Sequence, residues 1–183
     1  MSKMLFVVLI TVICLSLFIP VSLASEADTP TQGTETKMLH AEHVFDANVT
    51  IGDLLNFGKS KYGERRIIPI TGGTFKGPNI EGEVLPGGAD WQLTRPDGDV
   101  ELYARYTLKT KDGALIQVQN RVLMHMSKDG KTPLYTRSVI DFEAPSESPH
   151  AWLNHAIFLG TLSMPREIPE DKPYVIISVY KVQ

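Results

Sequence analysis

The stretch IIPITGGTFKGPNIEGEVLPGGADWQ, residues 67–92, decides the fold of this chain. Glycine and proline recur along it, and four of the glycines form two pairs, Gly72-Gly73 and Gly87-Gly88. The residues between the pairs include several isoleucines and valines, which favour β-strands. Because glycine and proline are typical of turns, we interpret this stretch as short strands that flank two tight corners.

The rest of the chain continues this alternation of strand and turn. Asp-Gly pairs at residues 97–98, 112–113 and 129–130 each separate two β-prone segments, which is a strong signal for a hairpin. The pattern predicts an antiparallel meander with strands at residues 43–49, 66–71, 79–86, 89–95, 100–110, 114–125, 134–142, 152–164 and 173–182. Residues 53–58 (DLLNFG) are instead predicted to form one or two helical turns that end at Gly58.

An all-β domain with about eight strands can be a closed barrel or a two-sheet sandwich. In residues 100–110, Leu102, Ala104, Tyr106 and Leu108 share one face, whereas Tyr103, Arg105 and Thr107 share the other. Polar residues occur on the second face of several strands: Gln92, Arg105, Gln117 and Arg137. In a barrel they could line a cavity, and in a sandwich they would face water.

The N-terminal residues 1–24 have the features of a secretory signal peptide. Lys3 precedes an apolar run at residues 5–19, and Pro20 and the small residues of Ser22-Leu23-Ala24 follow it. A retained membrane anchor is the alternative. We expect cleavage, a secreted or periplasmic location without stable membrane association, a disordered linker at residues 25–37 and one domain at residues 38–183.

Composition and motifs exclude several classes of function. The formal net charge of −3 gives no electrostatic basis for binding nucleic acid. The five histidines show no metal-ligand spacing, and the double glycines match no phosphate-binding motif. No Gly-x-Ser-x-Gly motif of a serine hydrolase occurs. We therefore expect no metal and no cofactor.

Several motifs together resemble the family called "domain of unknown function 3237". The resemblance rests on residues 63–78 and 82–92 and continues through residues 95–98, 104–106, 110–116, 120–121, 142–143 and 152–154. It covers residues 38–182, and it implies a single antiparallel β-barrel similar to lipocalin-like and allene-oxide-cyclase-like barrels. It implies little about chemistry. The chain departs from the family pattern at Tyr103, where an acidic residue is frequent, at Val122, where glycine is usual, and in its predicted export.

Asp90, Arg105 and Tyr103 are the candidate catalytic residues. Asp90 follows the Gly87-Gly88 pair and precedes Trp91, where partial burial beside an aromatic ring can raise a carboxyl pKa for general acid–base catalysis. Arg105 with Tyr103 could stabilise a developing oxyanion. The structural alternatives are an Asp that fixes a turn and an Arg that is exposed or forms an ion pair.

The candidate ligand-binding residues are Gln92, Arg137, Asn154 and Trp91. With them, the sequence predicts a small-molecule ligand as partner and leaves a homodimer open. The leading hypothesis is a cofactor-free isomerase, cyclase or lyase acting on a small, partly apolar metabolite. The alternative is a barrel that binds or carries a small molecule without transforming it.

Overall fold

The computed structural model describes residues 38–167 and 172–183. The predicted signal peptide, residues 1–24, and the predicted linker, residues 25–37, lie outside the described residues. Nine strands and one 3₁₀ helix, Ala151–His155, form the domain. The strands are β1 (Ala41–Ile51), β2 (Leu55–Ser60), β3 (Gly63–Lys76), β4 (Glu81–Thr94), β5 (Val100–Thr110), β6 (Leu115–Met126), β7 (Pro133–Glu143), β8 (Phe158–Ser163) and β9 (Tyr174–Val182).

Eight of these strands close into an antiparallel barrel. Each of β3 to β8 pairs with the next strand in the chain, and β1 pairs with both β9 and β3. The short β2 continues along the side of β3 beyond the end of β1. The expectation of a single antiparallel barrel of about eight strands is therefore confirmed, and the sandwich alternative is excluded.

The predicted helical turns at residues 53–58 are wrong, because this segment contributes to β2. Leu55 pairs with Ile67 of β3, and Ser60 pairs with Gly63 across a tight hairpin. A helix of one or two turns has few internal hydrogen bonds to offset the cost of its nucleation. Pairing with β3 supplies backbone partners that such a helix lacks.

The two glycine pairs lie inside long strands and not at corners. The predicted strands 79–86 and 89–95 are one strand, β4, in which Gly87 and Gly88 lie within an irregularity of pairing. Gly72 and Gly73 lie in β3 at a second irregularity, directly opposite the first. At such an irregularity, or β-bulge, one strand has more residues than the strand opposite. The additional residues bend the strand and increase its twist, which helps the sheet to close into a barrel.

One end of the barrel is filled by an aromatic core. Phe45, Phe75, Phe142 and Phe158 pack against one another with ring centroids 4.9–6.0 Å apart. Leu153, in the 3₁₀ helix, is buried in the same cluster. The predicted strand 152–164 thus begins as a helix in this core, and only its second part forms β8.

Within the described ranges, none of the helical structure has the length and apolar character needed to cross a membrane.

Candidate functional site

The half of the barrel opposite the aromatic core contains a cavity of about 270 Å³. This volume is close to the lower end, roughly 300 Å³, of the range for small-molecule sites. Most of the lining side chains are apolar: Val49, Ile51, Leu54, Ile68, Ile70, Leu102, Ala104, Val122, Met124, Leu162, Met164, Val175 and Ile177. The polar lining side chains are Arg66, Asp90, Gln92, Tyr106 and Asn120. Such a cavity suits a ligand that is apolar over most of its surface.

The polar side chains come together because their strands are in register. Asp90 of β4 lies opposite Ala104 of β5, which lies opposite Asn120 of β6. In the adjacent row, Gln92 of β4 lies opposite Arg66 of β3. Side chains two residues apart on a strand point to the same face, so both rows face the cavity.

Arg66, Gln92 and Asp90 form a directional chain of hydrogen bonds. The Arg66 Nε donates to Gln92 Oε1 at 2.5 Å, and Gln92 Nε2 donates to Asp90 Oδ2 at 2.6 Å. Because a guanidinium group only donates, it fixes the orientation of the Gln92 amide. Oδ2 of Asp90 therefore accepts a hydrogen bond, and a proton on this carboxyl group belongs on Oδ1.

Asp90 is the one carboxyl group among the described residues that line the cavity. Burial raises the pKa of its carboxyl group, although hydrogen bonds from the Gln92 side chain and the Tyr103 backbone and the charge of Arg66 oppose this shift. Its Oδ1 is buried and has no hydrogen-bond partner among residues 38–167 and 172–183. Asp90 is therefore a carboxyl group with one anchored oxygen and one free oxygen, and it retains its proton at higher pH than an exposed aspartate.

This arrangement predicts that Asp90→Asn makes the protein more stable near neutral pH. A carboxyl group whose pKa rises on folding binds more protons in the folded state than in the unfolded state. The stability of the wild type therefore falls as pH rises from about 3.9, the ordinary value for Asp, through the raised pKa. Urea unfolding of both proteins at several pH values should show that the advantage of Asn shrinks on acidification, and a constant difference would contradict this.

Of the residues selected from sequence, the structure brings Asp90 and Gln92 together in the cavity. Tyr103 and Arg105 lie on the outer face of β5, since Leu102, Ala104 and Tyr106 point inward. The Tyr103 hydroxyl donates to Gln119 Oε1 at 2.7 Å, and Arg105 is exposed. The expected trio of Asp90, Arg105 and Tyr103 is therefore not assembled, because neighbouring residues of a strand face opposite sides of the sheet.

The other three selected residues also lie outside the cavity. Trp91 is on the outer face of β4 and is 37% exposed. Arg137 is exposed on β7, where its guanidinium donates to the Thr136 carbonyl. Asn154 holds the 3₁₀ helix to the end of β7: its amide donates to the Ala144 carbonyl and accepts from the Ala144 amide, both at 2.8 Å.

Arg66, Ala104 and Asn120 belong to the site but were not selected from sequence as site residues. Arg66 alternates with Ile68 and Ile70, a spacing that places all three on the inner face of β3. Asn120 lies between Val118 and Val122 in the same way on β6. A polar residue at the start of an inward-facing apolar series, as for Arg66, or in the middle of one, as for Asn120, is the signal that identifies them.

The arrangement supplies proton donors and acceptors from side chains. In the part of the chain that the structure describes, no three His, Cys, Asp or Glu side chains are grouped so that they could hold a metal ion. The polar groups that line the cavity are a carboxyl, a guanidinium, two amides and a phenol. Burial raises the pKa of the Tyr106 phenol above its usual range, so the phenol stays neutral.

Comparison with known proteins places this barrel among relatives of similar length. A UPF0311 protein of Rhodopseudomonas palustris is 35% identical over 158 residues, which cover 80% of this chain and 99% of that protein. A crystal structure described as a beta-barrel like protein of Acinetobacter baumannii matches with a TM-score of 0.68 and 30% identity, covering 82% of this chain and 99% of that one.

One relative is named for a reaction. The hydroalkoxylation enzyme phnH of Penicillium herquei is 30% identical over 141 residues, which cover 77% of this chain and 85% of that enzyme. The model of the family described as protein of unknown function (DUF3237) matches residues 39–182. Together with the closed barrel, these matches establish that the chain belongs to the DUF3237 family.

Proposed function

We propose that the barrel binds a small, partly apolar molecule and catalyses the addition of its hydroxyl group across a carbon–carbon double bond, or the reverse elimination. Asp90 is the group that transfers the proton. The observation that carries this proposal is the buried, unpartnered Oδ1 of Asp90 in a mostly apolar cavity. The hydroalkoxylation activity in the name of the fungal relative supports the reaction class.

The addition needs one group that acts first as an acid and then as a base. The Oδ1–H bond of protonated Asp90 breaks as its proton forms a new C–H bond with one alkene carbon. The hydroxyl oxygen of the ligand attacks the other carbon to form the C–O bond. The proton of that hydroxyl then returns to Oδ1, so the enzyme is regenerated and no external reactant is consumed.

The surroundings of Asp90 favour this cycle. Gln92 holds Oδ2 and leaves Oδ1 without a hydrogen-bond partner among the described residues, while Arg66 holds Gln92. Burial keeps the carboxyl protonated to a higher pH, and the hydrogen bonds from Gln92 and the Tyr103 backbone, together with the charge of Arg66, moderate this effect so that the carboxylate form remains accessible. The apolar walls exclude water that would otherwise compete with the hydroxyl group of the ligand for the activated alkene.

A barrel that carries a small molecule without transforming it is the second candidate. The apolar lining of the cavity favours it, because that lining binds an apolar ligand without any catalytic group. Carrying an apolar ligand does not require a buried carboxyl group with an unpartnered oxygen. We therefore prefer the enzymatic function to the carrier function.

The experiment that tests the enzyme is incubation with hydroxy-alkenes such as 2-allylphenol in heavy water. We expect the cyclic ether isomer to form with one carbon-bound deuterium, since the carboxyl proton of Asp90 exchanges with solvent. Mass spectrometry and NMR detect both features. If the protein binds prenylated and allylated phenols but cyclises none of them, the proposed enzymatic function is wrong and the carrier function is favoured.

A further inference from the structure

Asn120 is a buried polar residue whose position has no explanation in the folding of the barrel. It is 2% exposed and lines the cavity, and its Oδ1 finds no hydrogen-bond partner in the described part of the chain. An unpaired buried polar atom is destabilising by about 1–3 kcal/mol. The neighbours of Asn120 on the inner face of β6, Val118 and Val122, are apolar, as packing alone would favour.

The row that contains Asn120 has space for a ligand in its middle. Asp90, Ala104 and Asn120 lie opposite one another on three adjacent strands, so roughly 10 Å separates the two outer strands. Ala104 contributes only a methyl group between the two longer side chains. Asp90 and Asn120, each with a buried and unpartnered Oδ1, therefore lie on either side of a small side chain in the cavity wall.

We propose that Asp90, Ala104 and Asn120 form a subsite that binds the hydroxyl group of a neutral ligand, and that Ala104 sets how large the adjoining group can be. This subsite shares its cavity and Asp90 with the proposed function, but it requires only binding and not catalysis. The ligand hydroxyl pairs with Asn120 while its apolar body lies against the isoleucine and valine walls. A phenol fits this description, because it joins one hydroxyl group to an apolar ring.

A carboxylic acid of the same shape is disfavoured at this subsite. Arg66 is the one cation among the described residues that line the cavity, and its Nε is already engaged by Gln92. A carboxylate beside Asn120 would lose its hydration and would face Asp90, whereas Arg66 lies on β3 with two strands, β4 and β5, between it and Asn120 on β6. The subsite therefore selects neutral ligands over anionic ones.

Binding of 2-naphthol and 2-naphthoate near neutral pH tests the subsite without any need for turnover. We expect the wild type to bind 2-naphthol at least about tenfold more tightly than 2-naphthoate, and Asn120→Leu to lose about tenfold in affinity for 2-naphthol. Because Leu removes an unpaired buried atom, we also expect Asn120→Leu to melt at a higher temperature than the wild type.

Ser138→Ala is the matched control, because Ser138 Oγ is also buried and unpartnered among the described residues, but Ser138 does not line the cavity. This variant should keep the wild-type affinity for 2-naphthol. Ala104→Leu, which leaves Asn120 in place and fills the gap, should abolish binding. Failure of the wild type to bind 2-naphthol, equal binding of 2-naphthoate, or undiminished binding by both cavity variants would overturn the subsite, whereas loss of the proposed catalysis alone would not.

Discussion

Asp90→Asn is expected to lower the turnover of a hydroxy-alkene substrate by about 10²–10⁴-fold, the range for loss of a general acid–base group. Asn has nearly the same shape as Asp, and its oxygen can still accept from Gln92. It cannot donate and recover a proton. The loss should therefore appear in kcat, while the affinity for the substrate changes little.

The pH dependence of kcat/KM, together with a control variant on the outer face of the barrel, distinguishes a catalytic role of Asp90 from a structural one. Because burial raises the pKa of Asp90, kcat/KM of the wild type should fall as pH rises through that pKa, where the acid form is lost. Arg105→Ala should behave like the wild type, since Arg105 is exposed on the outer face of β5. Equal losses in both variants, or an unchanged kcat in Asp90→Asn, would contradict the assignment.

Gly73→Ala is expected to destabilise the fold by about 3 kcal/mol or more, by summing backbone strain and steric conflict. Gly73 has φ of 138°, a conformation that residues with a side chain rarely adopt. A Cβ atom there would lie 2.1 Å from the carbonyl oxygen of Asn48 in β1. The substitution therefore pushes β1 away from β3, at the seam that closes the barrel.

Gly98→Ala is the control for Gly73→Ala, because it introduces the same kind of backbone strain without a steric clash of the new Cβ atom. Gly98 has φ of 92°, and a Cβ atom there would meet nothing within 4 Å. We expect a loss of about 1–2 kcal/mol from strain alone. Urea unfolding measures both values. Similar losses in the two variants would show that close contact between β1 and β3 is not what requires glycine at Gly73.

Local patterns in the sequence predicted the strands and hairpins but not the faces of the barrel. Asp-Gly turns are decided by a few adjacent residues, so the hairpins at residues 97–98, 112–113 and 129–130 are correct. The glycine pairs were harder, because their role depends on the partner strand. In β3, Ile70 and Phe75 are both buried although they are five positions apart, a spacing that would place them on opposite faces of a regular strand, since the irregularity at Gly72-Gly73 shifts the alternation.

The candidate site was only partly predictable for a related reason. Asp90 and Gln92 were found because they lie in a conspicuous motif. Arg105 and Tyr103 were grouped with them on the assumption that the polar face of β5 lines the cavity, whereas the apolar face does so. Asn120 and Arg66 meet Asp90 and Gln92 only through pairing between strands, and single-strand patterns carry no information about that register.

Closure through β1 also determines when the cavity can exist. Ala41, at the start of the first strand, pairs with Val182 at the end of the last, so the ring of hydrogen bonds is complete only after nearly the whole chain has been made. At roughly 5–20 residues per second for synthesis, β1 would wait on the order of ten seconds for β9. Contacts this distant in sequence make folding slow, and a nascent chain that lacks β9 has neither a closed wall nor a complete cavity, since Val175 and Ile177 of β9 line it.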